Sequence, residues 1–281
     1  MSSYRTSILL LAAFALFASN ARAGAGYVLG LNAEADNAGG RAIAGFIDYG
    51  VTEKTWLSGL VARTNTGGVL GGLETIYLDA AIEHMFGVVG VRAGAAYWGD
   101  KDILDSTDVR ASLFFRGKKG SLSFDYEKRD FDFVFISPFD DRIRSVEFTA
   151  NGAGAAGSLQ LGEKSRVFAS GMSYDYSRDI RLQPEIDSLR LLSSSRLSLM
   201  NSLIDYRVSG GVEFRFGNRS LDLTISNWQT AVDGGKVRSI SLGFLTPSGP
   251  ASDLEFRFAF DESENFGNTL ALAVSFYFFG S

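Results

Sequence analysis

The stretch LEFRFAF at residues 254–260, together with LALAVSFYF at 270–278, decides the fold class of this chain. In both stretches apolar side chains alternate with polar or small ones. Because successive side chains of a β-strand point to opposite faces, the alternation predicts two strands that each have one apolar face. The polar face of the first strand carries charges of both signs, Glu255 and Arg257, and its apolar face is mostly phenylalanine.

The same alternation recurs along the chain between clusters of Gly, Asn, Asp, Ser and Lys, which mark turns. It predicts fourteen strands, with 12 to 16 allowed by the uncertain boundaries. Short connections alternate with longer ones, and the longest is Ser177–Ser202. An even strand number with short turns on one side and longer loops on the other is typical of an outer-membrane barrel.

The N-terminal segment has the parts of a secretory signal. Arg5 precedes the apolar run Ile8–Phe17, and Ala21-Arg22-Ala23 forms a cleavage site of the A-x-A type. The apolar run is shorter than the roughly 20 residues that a membrane-spanning helix needs. The sequence therefore predicts a signal peptide at 1–23 and one β-barrel domain at 24–281.

Composition excludes several kinds of site. The chain has no cysteine and one histidine, His84, which excludes a disulfide framework and a zinc site of Cys or His ligands. Its formal charge of −5 argues against a nucleic-acid partner. We therefore expect no metal and no cofactor.

The apolar faces are assigned to lipid rather than to a protein core. A soluble β-sandwich shows the same alternation with the apolar face turned inward. Against that alternative stand the export signal without cysteines, the number of apolar faces in a chain with no domain boundary, and strongly charged polar faces such as that of 205–215. In lipid every backbone polar group must be paired, so the predicted sheet closes on itself.

The chain resembles the bacterial outer-membrane β-barrel proteins in its porin-like architecture, without a family-specific motif. The resemblance implies a place in the outer membrane of a Gram-negative bacterium, contact with its lipid and lipopolysaccharide, and insertion by the barrel insertion machinery. That machinery recognises a last strand that ends in an aromatic residue, and here Phe279-Gly280-Ser281 follow the last alternating aromatic. The oligomeric state is left open. The outward residues of this barrel-closing strand are Leu270, Leu272, Val274, Phe276 and Phe278.

The charged faces are expected to line a lumen, where opposed rows of acids and bases would favour small polar or charged solutes. The function expected is a narrow passive channel or transporter. The alternative is a closed structural or binding barrel, such as an adhesin or an export-machinery subunit, in which the charges pair and fill the interior. The expected pore-lining residues are Asp79, Glu83, Arg92, Arg110, Asp125, Glu127, Arg129, Asp205, Arg207, Glu213, Arg215, Asp253, Glu255 and Arg257.

A barrel hydrolase is the third possibility, because such enzymes activate a nucleophile through histidine. His84 lies at the end of the fourth predicted strand, beside a short turn, with no convincing Ser or Asp partner. We therefore expect no catalytic residue.

Other features concern single elements. The apolar parity of strand eight flips after Gly152–Gly157, which predicts a β-bulge. Ser177–Ser202 either folds inward as a constriction or stays outside as a loop or an extended hairpin. Alternating Phe and Asp residues after strand seven, from Asp130 to Asp141, are expected to extend the hairpin above the membrane.

Aromatics near strand ends are expected to form interfacial girdles: Tyr49, Tyr97, Trp98, Phe115, Tyr174, Tyr176, Phe216, Trp228 and Phe278.

Overall fold

The computed structural model describes residues 26–66, 73–100, 104–136, 143–178, 203–265 and 267–280. The predicted signal peptide at 1–23 lies outside the described residues, as do residues 179–202 of the longest connection and the tip of the Phe- and Asp-rich segment at 137–142.

Fourteen antiparallel strands form one closed barrel, as the alternation predicted. Each strand pairs with its neighbours in sequence, and the last strand pairs with the first, so no sheet edge remains. None of the described segments forms a helix that could cross a membrane. The strands are β1 (Tyr27–Asp36), β2 (Arg41–Thr52), β3 (Thr55–Thr66), β4 (Leu73–Phe86), β5 (Val89–Asp100), β6 (Leu104–Arg116), β7 (Gly120–Ile136), β8 (Ile143–Gln160), β9 (Ser165–Tyr176), β10 (Ile204–Phe216), β11 (Arg219–Thr230), β12 (Lys236–Gly249), β13 (Ser252–Ser263) and β14 (Gly267–Gly280).

The two ends of the barrel differ. Short turns join β2 to β3, β4 to β5 and each later pair up to β12 and β13 at one end, which also holds the start of β1 and the end of β14. We call this the turn end. The other end carries the remaining connections, including 177–203 between β9 and β10, and we call it the loop end. In outer-membrane barrels the short turns face the periplasm.

Strand β14 shows how the outer face is built. It pairs with β13 on one side and closes the barrel against β1 on the other. Its apolar side chains point outward, and Leu270 and Phe276 are 54% and 40% exposed. Similar large apolar side chains protrude from almost every strand. An apolar surface that extends around most of the barrel is stable in lipid and not in water.

The predicted bulge in strand eight is wrong. The pairing of β7 with β8 runs without a register shift from Gly120–Leu159 to Ile136–Ile143. Phe148 is buried on the inner face, whereas Leu159 is half-exposed on the outer face. The apolar residues of β8 therefore change faces along an unbroken strand. They point into the lumen near the loop end and toward the outside near the turn end.

Part of the predicted aromatic girdle is also wrong. Trp98 and Trp228 are 2% and 6% exposed and lie inside the barrel, and Tyr174 hydrogen-bonds an inward carboxylate. Tyr176 packs against buried Phe148 in the same interior. Inward aromatics of this kind alternate as regularly as lipid-facing ones, so period alone does not separate the two.

Strands β7 and β8 continue beyond the predicted membrane region. Asp130–Ile136 extends β7 and pairs with the start of β8, which fits the expected extension of this hairpin. Phe131 and Phe133 of this segment are buried, whereas Asp130 and Asp132 are exposed on the other face.

Candidate functional site

Alternation along the strands puts the charged faces inside the barrel. Asp205 is the extra residue of a β-bulge between Ile204 and Tyr206, and its charge acts on Tyr176 in the barrel interior. The other expected pore-lining residues occupy inward positions: Asp79, Glu83, Arg92, Arg110, Asp125, Glu127, Arg129, Arg207, Glu213, Arg215, Asp253, Glu255 and Arg257.

A Glu-x-Arg pair recurs on the inner face of every third strand from β7 to β13. In β10 the Arg215 Nε donates to Glu213 at 2.6 Å, and in β13 the Arg257 Nη2 donates to Glu255 at 2.6 Å. In β7 the Arg129 Nη2 donates to Glu127 at 3.2 Å. Residues two apart on a strand share a face, so each glutamate meets the guanidinium of its own strand.

Each Glu-x-Arg pair also contacts a charged residue of an earlier strand. Arg129 lies 3.9 Å from Asp108 of β6, and Arg166 of β9 lies 2.5 Å from Glu213. Arg257 binds both carboxylate oxygens of Asp222, at 2.8 and 2.9 Å. Asp108, Arg166 and Asp222 were not among the expected pore-lining residues, although their strand parity places them on the same inner face.

The acids and bases therefore pair with neighbours rather than facing one another as opposed rows across the lumen. Arg110 binds Asp79, which also accepts a hydrogen bond of 2.9 Å from Tyr77. Arg116 lies 3.2 Å from Glu83. Opposite charges in contact cancel at a distance, so the expected transverse field between an acidic and a basic wall does not arise from these residues.

Two inward glycines make room for bonds that cross a strand. A Cβ atom on Gly243 of β12 would lie 2.0 Å from the Asp222 carboxylate and 2.7 Å from the Arg257 guanidinium. A Cβ on Gly152 of β8 would lie 2.6 Å from the ring of Tyr174, whose hydroxyl donates to Glu127 at 2.5 Å. The missing side chain lets residues two strands apart meet over the backbone between them.

An apolar layer lines the inner wall near the loop end. Phe131 and Phe148 stack with ring centroids 4.8 Å apart, and both are under 7% exposed. The layer continues without a break from β4 to β9 and reaches the connection between β11 and β12. We call it the aromatic layer, and its buried members are Leu73, Trp98, Leu104, Phe131, Phe133, Phe148, Ala150, Leu203, Ala231 and Val232.

A smaller apolar group adjoins this layer. Trp228 packs with Ile204 and Val237, and Tyr174 contacts both groups. The Arg207 guanidinium lies 5.7 Å from the centre of the Trp228 ring, a cation–π distance. The indole Nε1 of Trp228 has no hydrogen-bond partner among the residues that the structure describes.

A polar cavity occupies the turn end of the lumen. Its volume is about 520 Å³, and it lies against the inner faces of β9 to β14. The charged groups in its wall include Arg215, Arg257, Glu213 and Asp253, and apolar patches come from side chains such as Phe168. We call it the turn-end cavity. The inner wall is thus apolar near the loops from β4 to β9, and ionic near the turns from β9 to β14.

His84 lies outside the lumen. Its Nδ1 is 2.8 Å from the Thr55 hydroxyl, and its ring meets Phe86 edge-on at 4.5 Å. It follows inward Glu83 in β4 and so faces outward near the turn end. Across the described ranges no three His, Asp or Glu side chains group closely enough to hold a metal ion.

Known proteins show which fold class this barrel belongs to. No family model matches the chain, and no curated protein matches it. Among solved structures, the CymD monoaromatic hydrocarbon channel is 12% identical with a TM-score of 0.60, and the match covers 92% of this chain and 89% of that one. The chain has the fold of an outer-membrane β-barrel channel. A Pseudomonas aeruginosa FadL homologue is 9% identical, with a TM-score of 0.53 and coverage of 90% and 89%. The NanC porin is 6% identical, with a TM-score of 0.50 and coverage of 89% and 98%.

Proposed function

We propose that this protein is a passive channel of the bacterial outer membrane for small solutes that carry an aromatic or apolar part. One observation carries the proposal: the inner wall near the loop end is an aromatic layer of buried side chains. A solute that enters from the loop end meets phenylalanine, tryptophan and leucine along the wall from β4 to β9. Such a wall favours solutes that offer apolar surface in return, because apolar contact area is removed from water.

One similar structure is described as a monoaromatic hydrocarbon channel. At 12% identity this likeness concerns the fold. It agrees with the proposed solute class, which is argued from the aromatic layer itself. The location in the outer membrane, the contact with its lipid and lipopolysaccharide, and assembly by the insertion machinery belong to the same proposal.

A second candidate function is a channel for small polar or charged solutes through the mixed-charge lumen. The turn-end cavity favours it, because arginine and acidic side chains line that part of the route. The two candidates differ in what limits passage. In the first, the aromatic layer selects solutes by apolar contact, whereas in the second the charges select and the aromatic layer is only an obstacle.

Permanently charged solutes that differ by one ring distinguish the candidates, because they do not cross lipid unaided. Purified protein is inserted into a planar bilayer, and reversal potentials give the permeability of benzenesulfonate relative to methanesulfonate. The same measurement compares benzyltrimethylammonium with tetramethylammonium. We expect the ring-bearing member of each pair to permeate better than its mobility in water predicts, since its ring contacts the aromatic layer.

Two other outcomes of the bilayer measurement would contradict this expectation. Ratios at or below those of aqueous mobility would favour the channel for polar or charged solutes. Absence of any conductance from correctly folded protein would overturn both channel proposals and favour the closed structural or binding barrel.

A further inference from the structure

The turn-end cavity has an excess of positive charge on one side. Glu213 accepts from Arg166 at 2.5 Å and from Arg215 at 2.6 Å, so two guanidinium groups share one carboxylate. The Arg215 side chain is 51% exposed and uses only its Nε in this pairing. Its two terminal nitrogens have no partner within the described part of the chain. Arg166 Nε is buried and likewise unpartnered there.

The opposite side of the cavity has an excess of negative charge. Arg257 of β13 is bound by Glu255 of its own strand and, across β12, by Asp222 of β11, so two carboxylates share one guanidinium. Tyr277 donates a further hydrogen bond of 2.6 Å to Glu255. Asp253 adds a carboxylate to this wall and makes no side-chain hydrogen bond or ion pair with any described residue.

The strand register fixes how far apart the two sides are. Arg215 pairs with Ser220, Ser220 with Leu245, and Leu245 with Glu255, so three strand spacings separate Arg215 from Glu255, and Asp253 lies two residues from Glu255 on the same face of β13. At ~4.8 Å per spacing the backbones are about 14 Å apart along the wall. The long arginine side chain narrows this gap by several ångströms.

Between Arg215 of β10 and Asp253 of β13 the cavity wall is formed by β11 and β12, where Asp222 is held by Arg257. Leu245, Phe168 and Phe279 contribute apolar surface to the cavity, and Ser220 and Thr224 contribute hydroxyl groups. The volume of about 520 Å³ is that of a site for a small organic molecule.

We propose that the turn-end cavity binds an elongated zwitterion, with its carboxylate at Arg215, its ammonium group at Asp253 and an apolar or aromatic middle against Leu245. Each end of such a ligand meets a group of opposite charge with unused hydrogen-bonding capacity. The inference deepens the proposed channel function, because it names the class of solute that is held at the turn end.

Three para-substituted benzenes of the same length test this assignment. The zwitterion 4-(aminomethyl)benzoate, the anion 4-methylbenzoate and the cation 4-methylbenzylammonium share the ring and differ only in their charged groups. Isothermal titration calorimetry on the detergent-solubilised full barrel gives a Kd for each at neutral pH. We expect the zwitterion to bind about tenfold tighter than either singly charged probe, since it alone engages both sides.

Variants assign the two ends of the ligand. Arg215→Gln should weaken the zwitterion and the anion and leave the cation unchanged, whereas Asp253→Asn should weaken the zwitterion and the cation and leave the anion unchanged. The matched controls are Arg238→Gln and Asp130→Asn, because both residues lie on the outer face. Heat-dependent migration on gels confirms that each variant is folded.

The results separate this inference from the channel function. Three probes that bind equally, or variants that weaken all three alike, would overturn the inference even in a protein that conducts. Zwitterion-selective binding by a barrel that conducts nothing would overturn the channel function and keep the site.

Discussion

Gly243 of β12 leaves the space in which an ion pair forms on the inner wall. Asp222 of β11 and Arg257 of β13 meet over it through two hydrogen bonds of 2.8 and 2.9 Å. Any side chain at this position in β12 would enter the space that the two charged groups occupy.

Gly243→Ala should therefore break this ion pair. Hydrogen bonds between charged groups contribute about 2 kcal/mol, and we expect a loss of that order in the free energy of unfolding. Reversible urea unfolding in lipid vesicles measures it. Gly45→Ala is the control, since its Cβ would meet nothing nearer than Leu31 Cδ2 at 3.6 Å. Equal stability of the two variants would show that the pair contributes nothing.

His84→Ala should leave the permeability unchanged, because the imidazole lies on the outer face and bonds only to Thr55 among the polar side chains described. The loss of that bond costs about 1 kcal/mol at most. The solute panel of the bilayer experiment, run beside an assay for ester hydrolysis, checks this expectation. Hydrolysis by the natural protein that the variant lacks would support the barrel hydrolase instead.

Single residues also show what the sequence could predict. Alternation predicted correctly that Glu255 and Arg257 lie on the inner face, because the apolar residues that alternate with them are large and numerous. Asp108, Arg166 and Asp222 could have been placed by the same parity, which would have revealed the cross-strand pairs. Trp98 and Trp228 could not, since a tryptophan near a strand end suits the lipid interface and an apolar lumen equally well.

At the scale of the element, β9 shows why the aromatic layer escaped the sequence analysis. Its inward positions hold Phe168, Met172 and Tyr174, whereas its outward positions hold smaller or polar residues, among them Val167 and Ala169. The face with the larger apolar side chains is the more hydrophobic, so the sequence pattern assigns it to lipid. The hydrogen bonds between Tyr174, Glu127 and Arg129 place this face inside, and they depend on strand pairing that the sequence does not specify.

Strand β7 offers a matched pair of variants for the role of the aromatic layer. Phe131→Ala removes an inward ring that is 3% exposed, and Phe124→Ala removes an outward ring of the same strand that is 51% exposed. We expect Phe131→Ala to raise the single-channel conductance, since an apolar constriction resists ions. It should also cost about 3 kcal/mol of stability.

The outward variant is the control for that measurement. Phe124→Ala changes only the surface in contact with lipid, so its conductance should equal that of the natural protein. If Phe131→Ala conducts no better than Phe124→Ala, the aromatic layer does not limit the passage of ions.

At the scale of the whole molecule, the number of strands and the closed sheet followed from alternation and turn lengths, because these features are periodic and local. The pairing of charges did not follow, since it depends on which strands meet and with what shear. The structure shows acids and bases paired in small groups around the wall, with one base in excess at Glu213 and one acid in excess at Arg257. A lumen of this kind should discriminate weakly between small cations and anions.

The replacement of Arg207 and Arg215 by glutamate disturbs that balance. Arg215 shares Glu213 with Arg166, and Arg207 lies over Trp228, so both changes put new negative charge on the inner face of β10. The reversal potential in a potassium chloride gradient should shift toward cation selectivity, because the field in the lumen becomes negative. The double variant Arg219→Glu and Arg238→Glu carries the same change in net charge on outward positions and should leave the selectivity as it is. A shift of equal size in both double variants would mean that surface charge near the mouths sets the selectivity, and β10 would then not line the conducting path.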